Sequence, residues 1–125
     1  MRIVSKNRFK TNANMSNITT FQEYDDFIKE ISSHYAVTDP AHRLELVTFG
    51  LLEEAGEVAG KMKRRYREGN FDVNEVAKEL GDVLGYVTCI CQELNINLQD
   101  IVNINKQKLL SRKQNKSLLG SGDNR

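Results

Sequence analysis

Residues 50–63 read GLLEEAGEVAGKMK, and residues 76–87 read VAKELGDVLGYV. In both stretches apolar residues return every three or four positions, which is the spacing of one helix face. In the first, Leu51, Ala55, Val58 and Met62 continue a face begun by Leu44 and Val47. In the second, Val76, Leu80, Val83, Leu84 and Val87 lead on to Ile90 and Leu94. The 125 residues contain no strand-like alternation, so the spacing predicts an all-α protein, a four-helix bundle.

Working outward, the only proline gives the start of the longer helix: Asp39 as N-cap with Pro40 at the first helical position. Gly69 is its natural C-terminal stop. Gly56 and Gly60 inside it cost helix propensity, so close packing or ligand approach is expected there. Asn74 is expected to cap the next helix. Asn97 opens a fourth, with Leu98, Ile101, Val102 and Leu109 as its apolar face. Upstream, Thr20 and Glu23 have capping-box spacing, and Phe21, Tyr24, Phe27, Ile28 and Ile31 follow at helical intervals.

Three segments result. Residues 1–18, which carry Arg2, Lys6, Arg8 and Lys10 and no acid, are expected to form a flexible extension. Residues 19–113 are the helical domain, and residues 114–125 a polar tail. One domain of this length has a modest core, so burial of a helix face in a homo-oligomer is expected. A net charge of +1 gives no global reason for binding nucleic acid or a membrane surface. No stretch approaches the ~18 apolar residues of a membrane span. A soluble, cytoplasmic protein is the expectation. Cys89 and Cys91, spaced C-x-C on a helix, point to different faces, and His34 and His42 complete no zinc pattern with them. Reduced thiols are expected.

The acids carry the chemistry. Glu54 and Glu57 lie three apart on one helix, and Glu79 and Asp82 three apart on the next, each pair beside its apolar face. Packing the two faces together brings the four carboxylates toward the rim of one seam. Such a cluster repels itself and raises its own pKa values unless a cation neutralises it. A hard divalent ion with oxygen ligands does so; Mg²⁺ is the abundant choice, with Mn²⁺ as a substitute, and such a site suits phosphoryl chemistry. The plainer reading keeps these glutamates as solvated helix residues, with Glu57 paired to Lys61 one turn on. Di-iron bundles need Glu-x-x-His, which neither histidine supplies. On the fourth helix Asn105, Lys108 and Arg112 fall near the apolar face, where a polyphosphate would be a fitting partner; side chains reaching out to solvent are the alternative. The basic run Lys63–Arg67 suits a helix C-terminus.

The ordered set resembles a family. Glu53–Glu57 reads E-E-x-x-E, Glu79–Asp82 reads E-x-x-D, and Asn105-x-x-Lys108-Leu109-x-x-Arg112 completes the pattern. Residues 20–113 are similar to the MazG-type, all-α nucleoside triphosphate pyrophosphohydrolases, and the terminal GSGDNR is similar to the end of some small phage-type members. The resemblance implies Glu54, Glu57, Glu79 and Asp82 as Mg²⁺ ligands and Glu53 as the acid that orients or deprotonates the attacking water. It implies Lys61, Asn105, Lys108 and Arg112 as phosphate contacts. It also implies hydrolysis of nucleoside triphosphates to monophosphate and pyrophosphate, in a homodimer or a homotetramer made of dimers. Neither a membrane nor a stable nucleic-acid complex is expected. Gly85 stands where many members carry an aromatic residue, often Trp, and Tyr86 beside it is expected as a core aromatic. A phosphoribosyl-ATP or dUTP/dCTP-type pyrophosphohydrolase, and a non-catalytic helical regulator that binds nucleotide or a partner, are the other readings.

Overall fold

The computed structural model describes residues 16–69 and 71–115. The order is α1 (Phe21–Ile31), a 3-10 turn (Ser33–Ala36), α2 (Pro40–Glu68), α3 (Val73–Glu93) and α4 (Leu98–Gln114), with no strand among the described residues. Most of the expected basic extension and of the polar tail lies outside them.

The helices begin and end for local reasons. Thr20 Oγ1 accepts from the Glu23 amide at 3.1 Å, while the Glu23 carboxylate accepts from the amide and the hydroxyl of Thr19, one residue earlier than a strict capping box. Asp39 accepts from the Ala41 amide at 2.9 Å, with Pro40 leading α2. Gly69, at φ 69°, closes α2 in the left-handed region, and its amide returns to the Arg65 carbonyl at 3.1 Å. The cap of α3 is Asp72, not Asn74: its carboxylate accepts from the Asn74 amide at 2.8 Å, and that places Asn74 inside the first turn. Asn97 precedes α4 as expected but makes no side-chain cap bond.

The principal packing is α2 against α3, with α1 laid on α3. Ile28, Val47 and Cys89 are the buried centre, surrounded by Tyr24, Leu44, Tyr86 and Ile90. Gly50 sets the approach of the two long helices: any Cβ there would overlap the Tyr86 ring, so the ring lies on bare backbone. Nearer the start of α2, Arg43 Nε donates to both oxygens of buried Glu93, at 2.9 and 3.1 Å, and its Nη1 donates to the Val37 and Thr38 carbonyls. His34 Nε2 stands 3.2 Å from the same carboxylate. Tyr35 Oη donates to Gln92 Oε1 at 2.7 Å, and Gln92 Nε2 donates to the Asp25 carbonyl and carboxylate. Together these bonds fasten the α1–α2 connection to the end of α3.

Several apolar positions expected to face inward do not. Leu80 and Leu84 on α3 and Leu94 at its C-cap are exposed, as are Phe21, Phe27 and Ile31 on α1 and Leu109 on α4. On α2 the expected inward face holds in part: Val47 is buried and Leu44, Leu51, Val58 and Met62 are half-buried, but Ala55 is exposed, and Phe49 and Leu52 stand 64% and 65% exposed. Periodicity marks a wide apolar face, and one neighbouring helix covers only part of it. Gly56 and Gly60 meet nothing that a Cβ would strike, so packing among the described residues does not explain them. Cys89 and Cys91 are buried and reduced, and burial pushes both thiols above their ordinary pKa.

A candidate metal centre

At the middle of the α2–α3 seam, Glu54 on α2 meets Glu79 and Asp82 on α3. One carboxylate oxygen from each lies within 4.8 Å of the other two. The i,i+3 spacing of Glu79 and Asp82 places both on the side of α3 that borders α2, and the α2–α3 packing brings Glu54 opposite them. Glu54 and Glu79 are half-buried and Asp82 is exposed, so the cluster sits at the rim of the seam and not inside the core.

The electrostatics match that position. Partial desolvation, and then the negative charges of Asp82, Glu79 and Glu53, raise the Glu54 carboxyl above its ordinary value. The countercharge on the group is Lys61, whose Nζ stands 3.1 Å from Glu79 Oε1 and 3.5 Å from Glu75 Oε2. That partner choice decides a question the sequence left open, because Lys61 reaches across the seam and does not simply pair with Glu57 on its own helix. One lysine against three close carboxylates leaves net negative charge, which a divalent cation with oxygen ligands would neutralise. The donor set fits such an ion.

The other candidate residues divide by helix. Glu57 is exposed, one turn beyond Glu54, and is not part of the three-carboxylate group. Glu53 is exposed beside Glu54, and its charge is felt there. Asn105, Lys108 and Arg112 all lie on α4, which packs chiefly against α1, whereas the acids stand on α2 and α3. Asn105 is exposed, Lys108 is half-buried, and Arg112 is buried at the end of that helix; neither basic residue lacks partners.

Two features had gone unnoticed in the sequence. Glu75 joins Glu79 in holding Lys61, and its signal was available, since it lies four residues before Glu79 on the same helix face. A cavity of about 530 Å³ adjoins the acids, with Asp82 in its wall. Its lining comes from α1, the 3-10 turn, α2 and α3, a juxtaposition no local pattern announces.

Comparisons with known proteins give the family. A family model described as the MazG nucleotide pyrophosphohydrolase domain matches residues 43–117, a span that includes all three clustered acids. The chain is 38% identical over 92 residues to the Gene 37 protein of Mycobacterium phage L5, covering 70% of this chain and 81% of the phage protein. No solved structure matches it significantly.

Proposed function

Since the chain belongs to the MazG nucleotide pyrophosphohydrolase domain family, we propose that it hydrolyses nucleoside or deoxynucleoside triphosphates to the monophosphate and pyrophosphate in a Mg²⁺-dependent reaction. The observation that carries this reading is the meeting of Glu54, Glu79 and Asp82 across two helices, with a raised Glu54 carboxyl and, among the described residues, one lysine against three acids. Those three residues would hold the metal, and Glu57, one turn along α2, is the fourth ligand by its place in the motif.

A bound Mg²⁺ supplies a positive centre that polarises phosphoryl oxygens and offsets the charge of the triphosphate. The remaining work falls to side chains. Glu53 orients the attacking water and takes its proton as the new P–O bond forms. The anhydride between the α and β phosphates breaks, and its bridging oxygen leaves with pyrophosphate. Lys61 exchanges its contact with Glu79 for the phosphates, and Asn105, Lys108 and Arg112 stabilise charge on the departing pyrophosphate.

The working form is a homodimer or a homotetramer made of dimers. Phe49 and Leu52, about two-thirds exposed on α2, support this, as large apolar side chains so placed gain from burial in a subunit contact. The position of α4 supports it too, because its basic residues and the acids of the same chain stand on separately packed elements.

Pyrophosphate release measured across canonical, deoxy and modified triphosphates, with and without Mg²⁺, tests the proposal. Turnover that depends on Mg²⁺ and disappears in Glu54→Gln and Asp82→Asn is the expected result. Retained turnover in both folded variants, or binding of nucleotide without turnover or metal dependence, would overturn it.

A further inference from the structure

Lys61 lies between two carboxylates in different settings. Its Nζ stands 3.1 Å from Glu79 Oε1, inside the three-acid group, and 3.5 Å from Glu75 Oε2, outside it. Glu75 and Glu79 are four residues apart on α3, so their side chains lie one turn from each other on the same side of that helix. Reaching across the seam from α2, Lys61 can therefore answer either acid with little motion of its flexible four-carbon stem.

The surroundings of the two acids differ. Glu79 has Glu54 and Asp82 crowding it, whereas Glu75 is the more open of the pair. Lys78 Nζ donates to Glu75 Oε1 at 2.7 Å, which steadies that carboxylate in the first turn of α3 and leaves Oε2 to Lys61. Beside it a cavity of about 360 Å³ opens between the end of α2 and the start of α3. Lys61, Arg64, Phe71, Glu75 and Val76 are in its wall, and none of the three clustered acids is. The ammonium thus has room on the Glu75 side to move away from the group.

A divalent cation at Glu54, Glu79 and Asp82 would compete with Lys61 for the Glu79 carboxylate, and two positive charges at that range repel each other. Resting on the reading of these acids as the metal site of a pyrophosphohydrolase, we propose that Lys61 is a resident countercharge with two positions. It holds Glu79 until a divalent cation binds, and it moves to Glu75 when one does. Glu75 is a positioning residue: it acts through Lys61 and not on the reacting atoms. By taking the displaced ammonium it eases metal entry, and it keeps Lys61 close enough to reach the phosphates of an arriving triphosphate.

The test measures Mn²⁺ binding to the full chain, without nucleotide, in a double-mutant cycle. Lys61→Met removes the competing cation and should tighten binding by about fivefold to tenfold, the size of a coupling within one ion-pair network. Glu75→Gln leaves Lys61 with Glu79 alone and should weaken binding by about tenfold for the same reason. Glu75 lies in the first turn of α3 and outside the buried core, so this substitution does not put the fold at stake. In Lys61→Met/Glu75→Gln the loss should vanish, with binding back at the level of Lys61→Met. An equal effect of Glu75→Gln in both backgrounds would show plain loss of negative charge and overturn the exchange, as would weaker binding in Lys61→Met. Thermal unfolding gives a second readout. Without added metal, Lys61→Met should unfold below the wild type, because three acids lose their countercharge, and saturating Mn²⁺ should close most of that gap. A gap that Mn²⁺ leaves unchanged would mean that Lys61 keeps one partner throughout, against the proposal. Absence of turnover with every triphosphate would refute the pyrophosphohydrolase reading instead, and metal binding would still decide the exchange.

Discussion

Along the α2–α3 seam, carboxylates are treated in two ways. At Glu93 the acid is buried and fully answered: Arg43 donates to both its oxygens, and His34 stands beside it. At Glu54, Glu79 and Asp82, further along the same seam, three acids crowd together and, among the described residues, Lys61 is drawn to the group through Glu79. A buried acid kept for structure needs its partners within the chain, because removing one leaves an uncompensated charge. Acids gathered at a rim without enough countercharge weaken the fold locally, and that cost makes sense where an added cation removes it. The contrast separates a clamp from a site more sharply than acidity alone.

Substitutions at the two places should therefore fail differently. Glu54→Gln or Asp82→Asn should reduce turnover by about a thousandfold or more, since the loss falls on metal-assisted stabilisation of the transition state. The helical circular dichroism and denaturation midpoint of these variants should match or exceed those of the wild type. Glu93→Gln should do the opposite: a loss of about 2–3 kcal/mol in stability, read from urea unfolding, with turnover of the folded fraction kept. Equal effects of both kinds would erase the distinction.

Mg²⁺ sharpens it further. The folded chain raises the Glu54 carboxyl, so it binds that proton more tightly than the unfolded chain does. Stability of the metal-free protein should thus fall as pH rises from the ordinary glutamate value of 4.5 through the raised one. Saturating Mg²⁺ should stabilise by about 2–3 kcal/mol at a hundredfold excess over its Kd. The gain in Tm should be larger at pH 7 than near pH 4.5, where protonation of the acids competes with metal. A gain that is independent of pH would place the ion elsewhere.

Smaller effects address the scaffold that holds the site. Gly50→Ala drives a methyl group into the Tyr86 ring and should cost about 1–3 kcal/mol, with some loss of turnover as the helices part. Gly56→Ala and Gly60→Ala meet open space and should stabilise α2 by about 0.5–1 kcal/mol each. A loss at either glycine, measured at concentrations where the protein self-associates, would identify that position as part of a subunit contact.

How much of this could be read beforehand depends on whether the cause was local. Asp39-Pro40 and Gly69 announced the ends of α2 because caps act within a turn. The α3 cap was misplaced by two residues, from Asp72 to Asn74, since both side chains can cap and periodicity does not choose between them. The i,i+3 acid pairs were legible as patterns, and the family that the motifs resembled is the one to which the chain belongs. That Glu54, Glu79 and Asp82 form the close group, and that Lys61 turns to Glu79, depends on how two helices cross. That crossing is governed in part by Tyr86 resting on Gly50, a contact between residues 36 positions apart that neither helix reveals alone. Leu80 and Leu84 tell the same story from the other side: their spacing marked an apolar face, not the number of neighbours available to cover it.

Binding of Mn²⁺ followed by electron paramagnetic resonance, in the wild type and in Glu54→Gln/Asp82→Asn, addresses the clustered acids without reference to substrate. One site per chain, lost in the double variant and retained in Glu93→Gln, is the predicted result. Undiminished binding in the double variant would mean that these carboxylates do not hold the metal.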